Sequence, residues 1–358
     1  MSRLRVAYVL NVFPKISETF IAGELGELHR RAVELRILSL RRPAEEPRHD
    51  AIARAGFLEH VFYEEGPYRE ALRRLKPHLL HAHFALEATA KAREIAAELG
   101  CPFTFTAHGY DIYRKPPNDF PARAAAAGAV VTVSRANALY LQQTFGIPAT
   151  RLSVIPCGID TDRFRPACGP RPELPTVLCV ARLVAVKNHE LLLRACALLR
   201  SRGRKFRCVL VGDGALRGQL EALRAELDLK GIVEMAGAAP ESEVIRHWQR
   251  AAIGVLTSVS EGMPIALMEA AACGVPVVAT AVGGVSELVA DDSTGLLVPT
   301  GDVSALAAAL ERLLVEPETA EVMGRAARHR AEELFSIQRQ VDALLSLWNE
   351  ILQRRTAA

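Results

Sequence analysis

Short apolar runs rich in valine, isoleucine and leucine alternate with longer stretches of helical, 3.6-residue periodicity along almost the whole chain. Seven runs lie in the first half: RVAYVLNV (5–12), VELRILSL (33–40), HVFY (60–63), LLHAHF (79–84), FTFTAHG (103–109), VVTVS (130–134) and LSVIPCG (152–158). Six follow: TVLCVARL (176–183), RCVLVGDG (207–214), IVEMAG (232–237), IGVLTS (253–258), VPVVAT (275–280) and GLLVP (295–299). Most of these runs are continuously apolar, which marks strands buried on both faces. Helical stretches such as NHELLLRACALLRSRG (188–203) separate them, so the pattern predicts parallel sheets covered on both sides, a doubly wound α/β architecture.

Thirteen strands are too many for one ordinary open sheet. The stretch RFRPACGPRPELP (163–175) carries four prolines and a glycine and reads as a linker between two Rossmann-like domains. The expected division is 1–166 and 174–336, with SIQRQVDALLSLWNEILQRR (336–355) as a final helix after the last strand. Composition adds little: half the 358 residues are hydrophobic, and a net charge of +3 leaves no nucleic-acid footprint. Residues 1–166 hold 23 basic against 18 acidic side chains, a mild excess that would suit an anionic acceptor or a peripheral membrane contact. Seven cysteines without C-x-x-C spacing argue against a disulfide framework or a zinc site and suit a reducing cytoplasm. The N-terminal apolar run is too short, and too soon broken by Asn11, for a signal peptide, and the longest charge-free run, 270–286, contains three glycines and a proline and is no membrane span.

The densest chemistry lies in SVSEGMPIALMEAAACGVPVVAT (258–280). Gly262 and Pro264 open a helix expected to stop near Gly274. Glu261 then lies at the helix mouth and Glu269 more than one turn inside, flanking backbone N–H groups that have no intrahelical partner. Such a terminus binds anions, and carboxylates on either side would suit a ligand bearing phosphate and hydroxyls together. The plainer alternative is a dipole-favoured Glu followed by a solvated one.

Open α/β sheets bind ligands at the C-terminal ends of their strands. Arg182 and Lys187 follow one strand and could hold a diphosphate, although two basic residues among 44 are by themselves an ordinary surface pair. Gly212 and Asp213, with Gly214, follow another, without full dinucleotide-loop spacing. His108, Gly109 and Asp111 follow a third. His81 and His83 could share a strand face, but the sequence offers no third metal ligand. Asp160 and Asp162 form a D-x-D pattern where aspartates commonly make turns, and the structural reading is favoured. Neither a nucleophile elbow nor a P-loop is present, so phosphate and hydroxyl binders occur without a hydrolytic triad.

With these residues in place, the chain resembles the family-4 retaining glycosyltransferases of the GT-B fold over nearly its whole length. EGMPIALME is similar to that family's E-x7-E signature, VARLVAVKN to its Arg–Lys donor segment, and VIPCGIDTDRF, VGDG, AVGGVSELV and TGLLVPTGD to further blocks in the same order. The resemblance implies two Rossmann-like domains facing a cleft, with the C-terminal helix (337–358) crossing back to the first. It implies that Arg182 and Lys187 bind the donor diphosphate, that Glu269 takes the nucleotide ribose, and that Glu261 and the backbone at Gly262, Met263, Pro264 and Ile265 meet the transferred sugar and phosphate. Gly212 and Asp213 would join the donor site, and His108 would reach the donor sugar from the other domain. FPKISETFI (13–21) replaces the Gly-Gly loop of many relatives and resembles the exopolysaccharide and surface-glycan subgroup, which would put Ser17, Glu18, Thr19 and Asp111 on the acceptor side. The implied reaction moves a hexose from a nucleotide sugar, UDP- favoured over GDP-, to a glycan or lipid-linked hydroxyl without metal or other cofactor, in the cytoplasm or at the inner face of its membrane. A sugar-nucleotide 2-epimerase and a non-catalytic nucleotide-sugar binder remain alternatives.

Overall fold

The computed structural model describes residues 3–15, 18–43, 57–169 and 172–356. The chain divides into two compact units, residues 1–158 with 337–358, and residues 159–336. The division falls at Gly158/Ile159, before the proline-rich 163–175 expected to be the linker; Arg328 Nη1 donates to the Thr161 and Phe164 carbonyls (2.9 and 2.7 Å) and ties the start of that stretch into the second unit.

Among the described residues the first unit holds seven parallel strands: β1 (Arg5–Val12), β2 (Glu34–Arg41), β3 (Val61–Tyr63), β4 (Leu79–His83), β5 (Phe103–Ala107), β6 (Ala129–Thr132) and β7 (Leu152–Val154). Their order is β3-β2-β1-β4-β5-β6-β7. The second unit holds six: β8 (Thr176–Val180), β9 (Arg207–Val211), β10 (Val233–Gly237), β11 (Ile253–Leu256), β12 (Val277–Thr280) and β13 (Gly295–Val298), ordered β10-β9-β8-β11-β12-β13. All pairings are parallel. Each of the thirteen apolar runs therefore contains a strand. The runs read too long at their C-terminal ends, as in 152–158, because the residues there turn away toward the loops. In both sheets the strand order reverses at the first strand, between β1 and β4 and between β8 and β11. Outside the C-terminal ends of those pairs the connecting helices part to opposite faces and leave a crevice.

The last helix, Ile337–Thr356, belongs to the first unit. It buries Val341, Leu344 and Trp348 with Tyr8, Leu25 and Leu28. Trp348 is fully buried, and its Nε1 donates to Thr104 Oγ1 (3.2 Å). Gln340 Oε1 accepts from Gly158 N (2.6 Å). A Cβ on Gly158 would lie 2.5 Å from the Ile337 Cα, so only glycine lets the outgoing chain pass the returning helix. Among the described residues no helix is long and apolar enough to cross a membrane.

Trp348→Ala should cost about 3–5 kcal/mol, the range for removing a buried large aromatic side chain. Hydrogen exchange should report the loss across β1, β4 and β5 while β8–β13 keep their protection. A cost below about 1 kcal/mol would show that the returning helix is not part of the core of the first unit.

Candidate functional site

In the second unit the candidate residues gather at the ends of β8, β9, β11 and β12. A Cβ on Gly212 (φ +144°) would fall 2.0 Å from the Ala181 carbonyl oxygen, and one on Gly214 2.5 Å from that of Leu183. These glycines let the loop after β9 lie directly on the loop after β8. The Asp213 carboxylate accepts from Gly214 N (2.7 Å) and lies 3.5 Å from Arg217, so it supports this turn. Arg182 is exposed and has no side-chain partner among the described residues. Lys187, in the single turn Ala185–Lys187, reaches across to β11: its Nζ donates to Glu261 Oε1 (2.5 Å), which also accepts from Ser258 Oγ (2.6 Å). The loops are further joined by Thr257 Oγ1, 2.9 Å from the Lys187 and Asn188 carbonyls, and by Val259 N to the Val186 carbonyl (2.9 Å). A shielded ion pair with a third hydrogen bond fixes both partners in direction more than it adds stability.

The helix after Glu261 runs Ile265–Ala272, with Gly274 at φ +68° just beyond its end. Leu267, Met268, Ala270 and Ala272 are all buried, which accounts for the apolar sequence: this helix is covered nearly all round. Pro264 has no N–H, so the expected set of amides shrinks to Gly262, Met263 and Ile265, which have no hydrogen-bond acceptor among the described residues. A Cβ on Gly283 would lie 1.9 Å from the Glu261 carbonyl oxygen, so the glycine loop after β12 closes on the backbone of Glu261. Glu269 is not solvated. It is buried, and Trp248 Nε1 donates to its Oε2 (3.0 Å). Burial outweighs that bond and lifts its carboxyl to about 7. Its Oε1 has no partner among the described residues.

In the first unit His108 follows β5, and its backbone N donates to Asp111 Oδ1 (2.8 Å), while Asp111 Oδ2 accepts from Ala85 N (2.7 Å). Asp111 is fully buried and lifted to about 6 by that burial, so it anchors two loops and does not line an acceptor surface. His108 Nε2 lies 3.1 Å from His83 Nδ1, and His83 Nε2 lies 3.0 Å from Glu24 Oε1. That oxygen also accepts from Tyr8 Oη (2.5 Å), and Glu24 Oε2 accepts from Gln340 Nε2 (2.5 Å). Glu18 pairs with Lys15 (2.5 Å) ahead of the helix Thr19–Arg30, in which Thr19 is the first residue. Ser17 lies outside the described residues.

Glu24 is the third potential metal ligand the sequence did not offer: ligand atoms of Glu24, His81 and His83 lie within 4.8 Å of one another. They are already occupied, with His81 Nδ1 on Thr104 Oγ1 (2.8 Å) and Nε2 on Thr106 Oγ1 (3.0 Å). Asp160 Oδ1 accepts from the backbone of Asp162 and Arg163 (both 3.1 Å), the turn geometry expected for the D-x-D. Sequence reading missed Glu24, Gln340, Ser258 and Trp248. Only Glu24 left a trace, as a carboxylate three residues after Ile21 and four before Leu28 on a buried helix stripe.

Two family models match in tandem: Glycosyltransferase Family 4 over residues 17–163 and Glycosyl transferases group 1 over residues 160–330. The amylovoran biosynthesis glycosyltransferase AmsK of Erwinia amylovora is 33% identical over 272 residues, 72% of this chain and 66% of that protein. The putative colanic acid biosynthesis glycosyltransferase WcaL of Escherichia coli is 37% identical over 215 residues, 57% and 53%. The matched segments thus span about half to two thirds of these relatives' lengths. A glycosyltransferase structure from Rickettsia africae superposes with a TM-score of 0.82 at 20% identity, covering 98% of this chain and 99% of that one, and it shares the fold. Two Rossmann-like units in tandem, matched in that order by the two family models, place the chain in glycosyltransferase family 4, with the GT-B fold.

Proposed function

We propose that this chain is a metal-independent, retaining hexosyltransferase that uses a nucleoside diphosphate sugar, UDP before GDP, and glycosylates a surface-glycan or lipid-linked acceptor on the cytoplasmic side of the membrane, where the basic excess of the first unit favours peripheral contact. The observation that carries the reading is the end of β8–β11: an unpartnered Arg182, the Lys187–Glu261 pair and three unbonded amides in one unit. Arg182 offers a planar fork for phosphate oxygens and Lys187 a point charge. Glu269 keeps one oxygen free for ribose hydroxyls. Glu261, held by Lys187 and Ser258, presents acceptor lone pairs to the sugar. The names of the two curated relatives support a surface-polysaccharide acceptor.

In this reading the bond between the sugar C1 and the phosphate oxygen breaks, and its electron pair stays on the phosphate. The acceptor hydroxyl oxygen bonds to C1 from the same face, and its proton passes to the departing phosphate oxygen. Arg182, Lys187 and the amides of Gly262, Met263 and Ile265 stabilise the charge that develops there. The carboxylates of Glu261 and Glu269 are taken up in binding, which leaves no covalent sugar–enzyme step.

Calorimetry with nucleoside diphosphate separates the roles. Arg182→Ala and Lys187→Ala should each weaken binding by about ten- to 150-fold, the equivalent of a charge-assisted bond of about 1.5–3 kcal/mol. Glu269→Gln should weaken it too. Glu261→Gln should leave it nearly unchanged, because the partner of Glu261 is the transferred sugar, and should impair transfer. Equal loss of nucleotide affinity in both glutamate variants would refute the division. Incubation of donor without acceptor should give slow hydrolysis by NMR; a C2 epimer would overturn the transferase reading.

The raised carboxyl of Glu269 gives a pH signature. Without ligand, burial favours its neutral form up to about pH 7. Ribose hydroxyls donate to the ionised form and so favour it, and binding should release a proton. Nucleotide affinity should rise as pH climbs through about 7, and the difference between wild type and Glu269→Gln should shrink at pH 5.5. Parallel pH profiles for the two proteins would remove Glu269 from the nucleotide site. Transfer should also survive exhaustive EDTA; loss restored by manganese or magnesium would return Asp160 and Asp162 to consideration.

A further inference from the structure

We infer that Glu24 and His83 are positioning residues: a one-way chain of hydrogen bonds from Glu24 holds His108 in the tautomer whose Nδ1 is a bare acceptor, ready to take a hydroxyl of the sugar substrate. The direction of the chain follows from its fixed end. The Glu24 carboxylate only accepts, with Gln340 Nε2 on one oxygen and Tyr8 Oη and His83 Nε2 on the other. His83 Nε2 therefore carries a proton. With the His83 ring neutral its Nδ1 is then an acceptor and the atom facing it at 3.1 Å, His108 Nε2, donates; a protonated His83 would donate from both nitrogens and reverse the assignment. The neutral His83 leaves His108 Nδ1 without a proton.

The ring has little freedom to escape this assignment. Phe20 and Phe84 lie against it with ring centroids at 5.0 and 4.6 Å, and His83 stacks at 5.4 Å with planes 22° apart. Asp111 fixes the backbone on which it sits. Burial pulls the His108 pKa well below the ordinary imidazole value, so the ring is neutral at physiological pH. Nδ1 has no partner among the described residues, and the residue keeps 8% of its surface exposed. A ring clamped on two faces, bonded at one nitrogen and unpartnered at the other, is built to present that second atom. The far end of the chain is equally fixed: Gln340 is held by Gly158 on the returning helix, and Tyr8 belongs to β1. The orientation of the outward atom thus depends on a carboxylate two side chains away. Losing the hydrogen bond that the outward atom would accept costs about ten-fold or more.

The substrate half of this inference rests on the transferase reading; the tautomer half does not. Long-range proton–nitrogen NMR on nitrogen-15-histidine protein, with His108 assigned through His108→Gln, reads the tautomer without substrate. The wild type should show His108 protonated on Nε2. In Glu24→Gln the amide can keep its oxygen on Gln340 and turn its nitrogen to His83, which reverses every donor in the chain and should move the His108 proton to Nδ1. Tyr8→Phe, which removes a bond without reversing the chain, should leave the tautomer as it is. With UDP-glucose and GDP-mannose as donors, Glu24→Gln should lose about ten-fold or more in kcat/KM for whichever is turned over, while nucleoside diphosphate affinity stays constant. If Glu24→Gln fails to fold by circular dichroism, His83→Phe serves instead: it leaves His108 Nε2 without an acceptor and should give a tautomer mixture. A wild-type His108 protonated on Nδ1, or a tautomer unmoved in the reversing variant, overturns the relay whatever the activity. A reversed tautomer with unchanged kcat/KM overturns its role at the substrate. No turnover by wild type of either donor counts against the transferase reading, and the tautomer still decides the relay.

Discussion

The first unit is organised by a carboxylate that never meets water. Glu24 is wholly buried, and an ion in that position is tolerated only when its lone pairs are taken by well-placed donors. The donors come from three parts of the chain: Tyr8 on β1, His83 on β4 and Gln340 on the returning helix. Any displacement of one element leaves a buried charge short of a partner. The bond network therefore specifies how β1, β4 and the helices 19–30 and 337–356 come together, and apolar packing around Trp348 and Leu25 stabilises the result. It also explains why the last twenty-odd residues belong to the first unit although they follow the second in sequence.

The second unit meets the corresponding problem at its switch point by other means. Its loops after β8, β9 and β12 approach so closely that glycine is required at 212, 214 and 283, and one ion pair, Lys187–Glu261, joins the loops after β8 and β11. Among the described residues the groups still open there are the Arg182 guanidinium, the Lys187 N–H donors not taken by Glu261, the amides of Gly262, Met263 and Ile265 and one oxygen of Glu269. Rigidity and availability are thus separated within one set of loops. Preorganised donors around a developing charge need that separation, because a group that must first break an internal bond contributes less.

Much of this was legible in the sequence because its strongest signals are local. Short apolar runs gave the thirteen strands among the described residues, and Pro264 and Gly274 bracketed the helix that carries Glu269 to within two residues. The unit boundary was harder to read. Prolines at 166–175 look like a linker, yet Arg328, more than 150 residues later, holds the Thr161 and Phe164 carbonyls and draws that segment into the second unit. The same limit hid the partners of the site residues. Nothing near Glu269 in sequence announces Trp248, and nothing near Glu24 announces Gln340, because side chains that meet between distant elements share no local pattern. Glu24 alone betrayed itself, by placing a charge where the helix stripe is apolar.

Three buried carboxylates show how partner count, more than burial, decides what such a group can do. Asp111 has a backbone N–H on each oxygen and is committed to holding His108 and Ala85 in place. Glu24 has three donors and is committed to the hydrogen-bond chain that ends at His108. Glu269 keeps 8% of its surface exposed, has one donor among the described residues, Trp248, and its carboxyl is lifted to about 7. Its second oxygen keeps contact with solvent and is open to a ligand that donates to it. Of the three it is therefore Glu269 that has an oxygen left for a ligand, while Asp111 and Glu24 exert their influence on a ligand only through the side chains and backbone they hold.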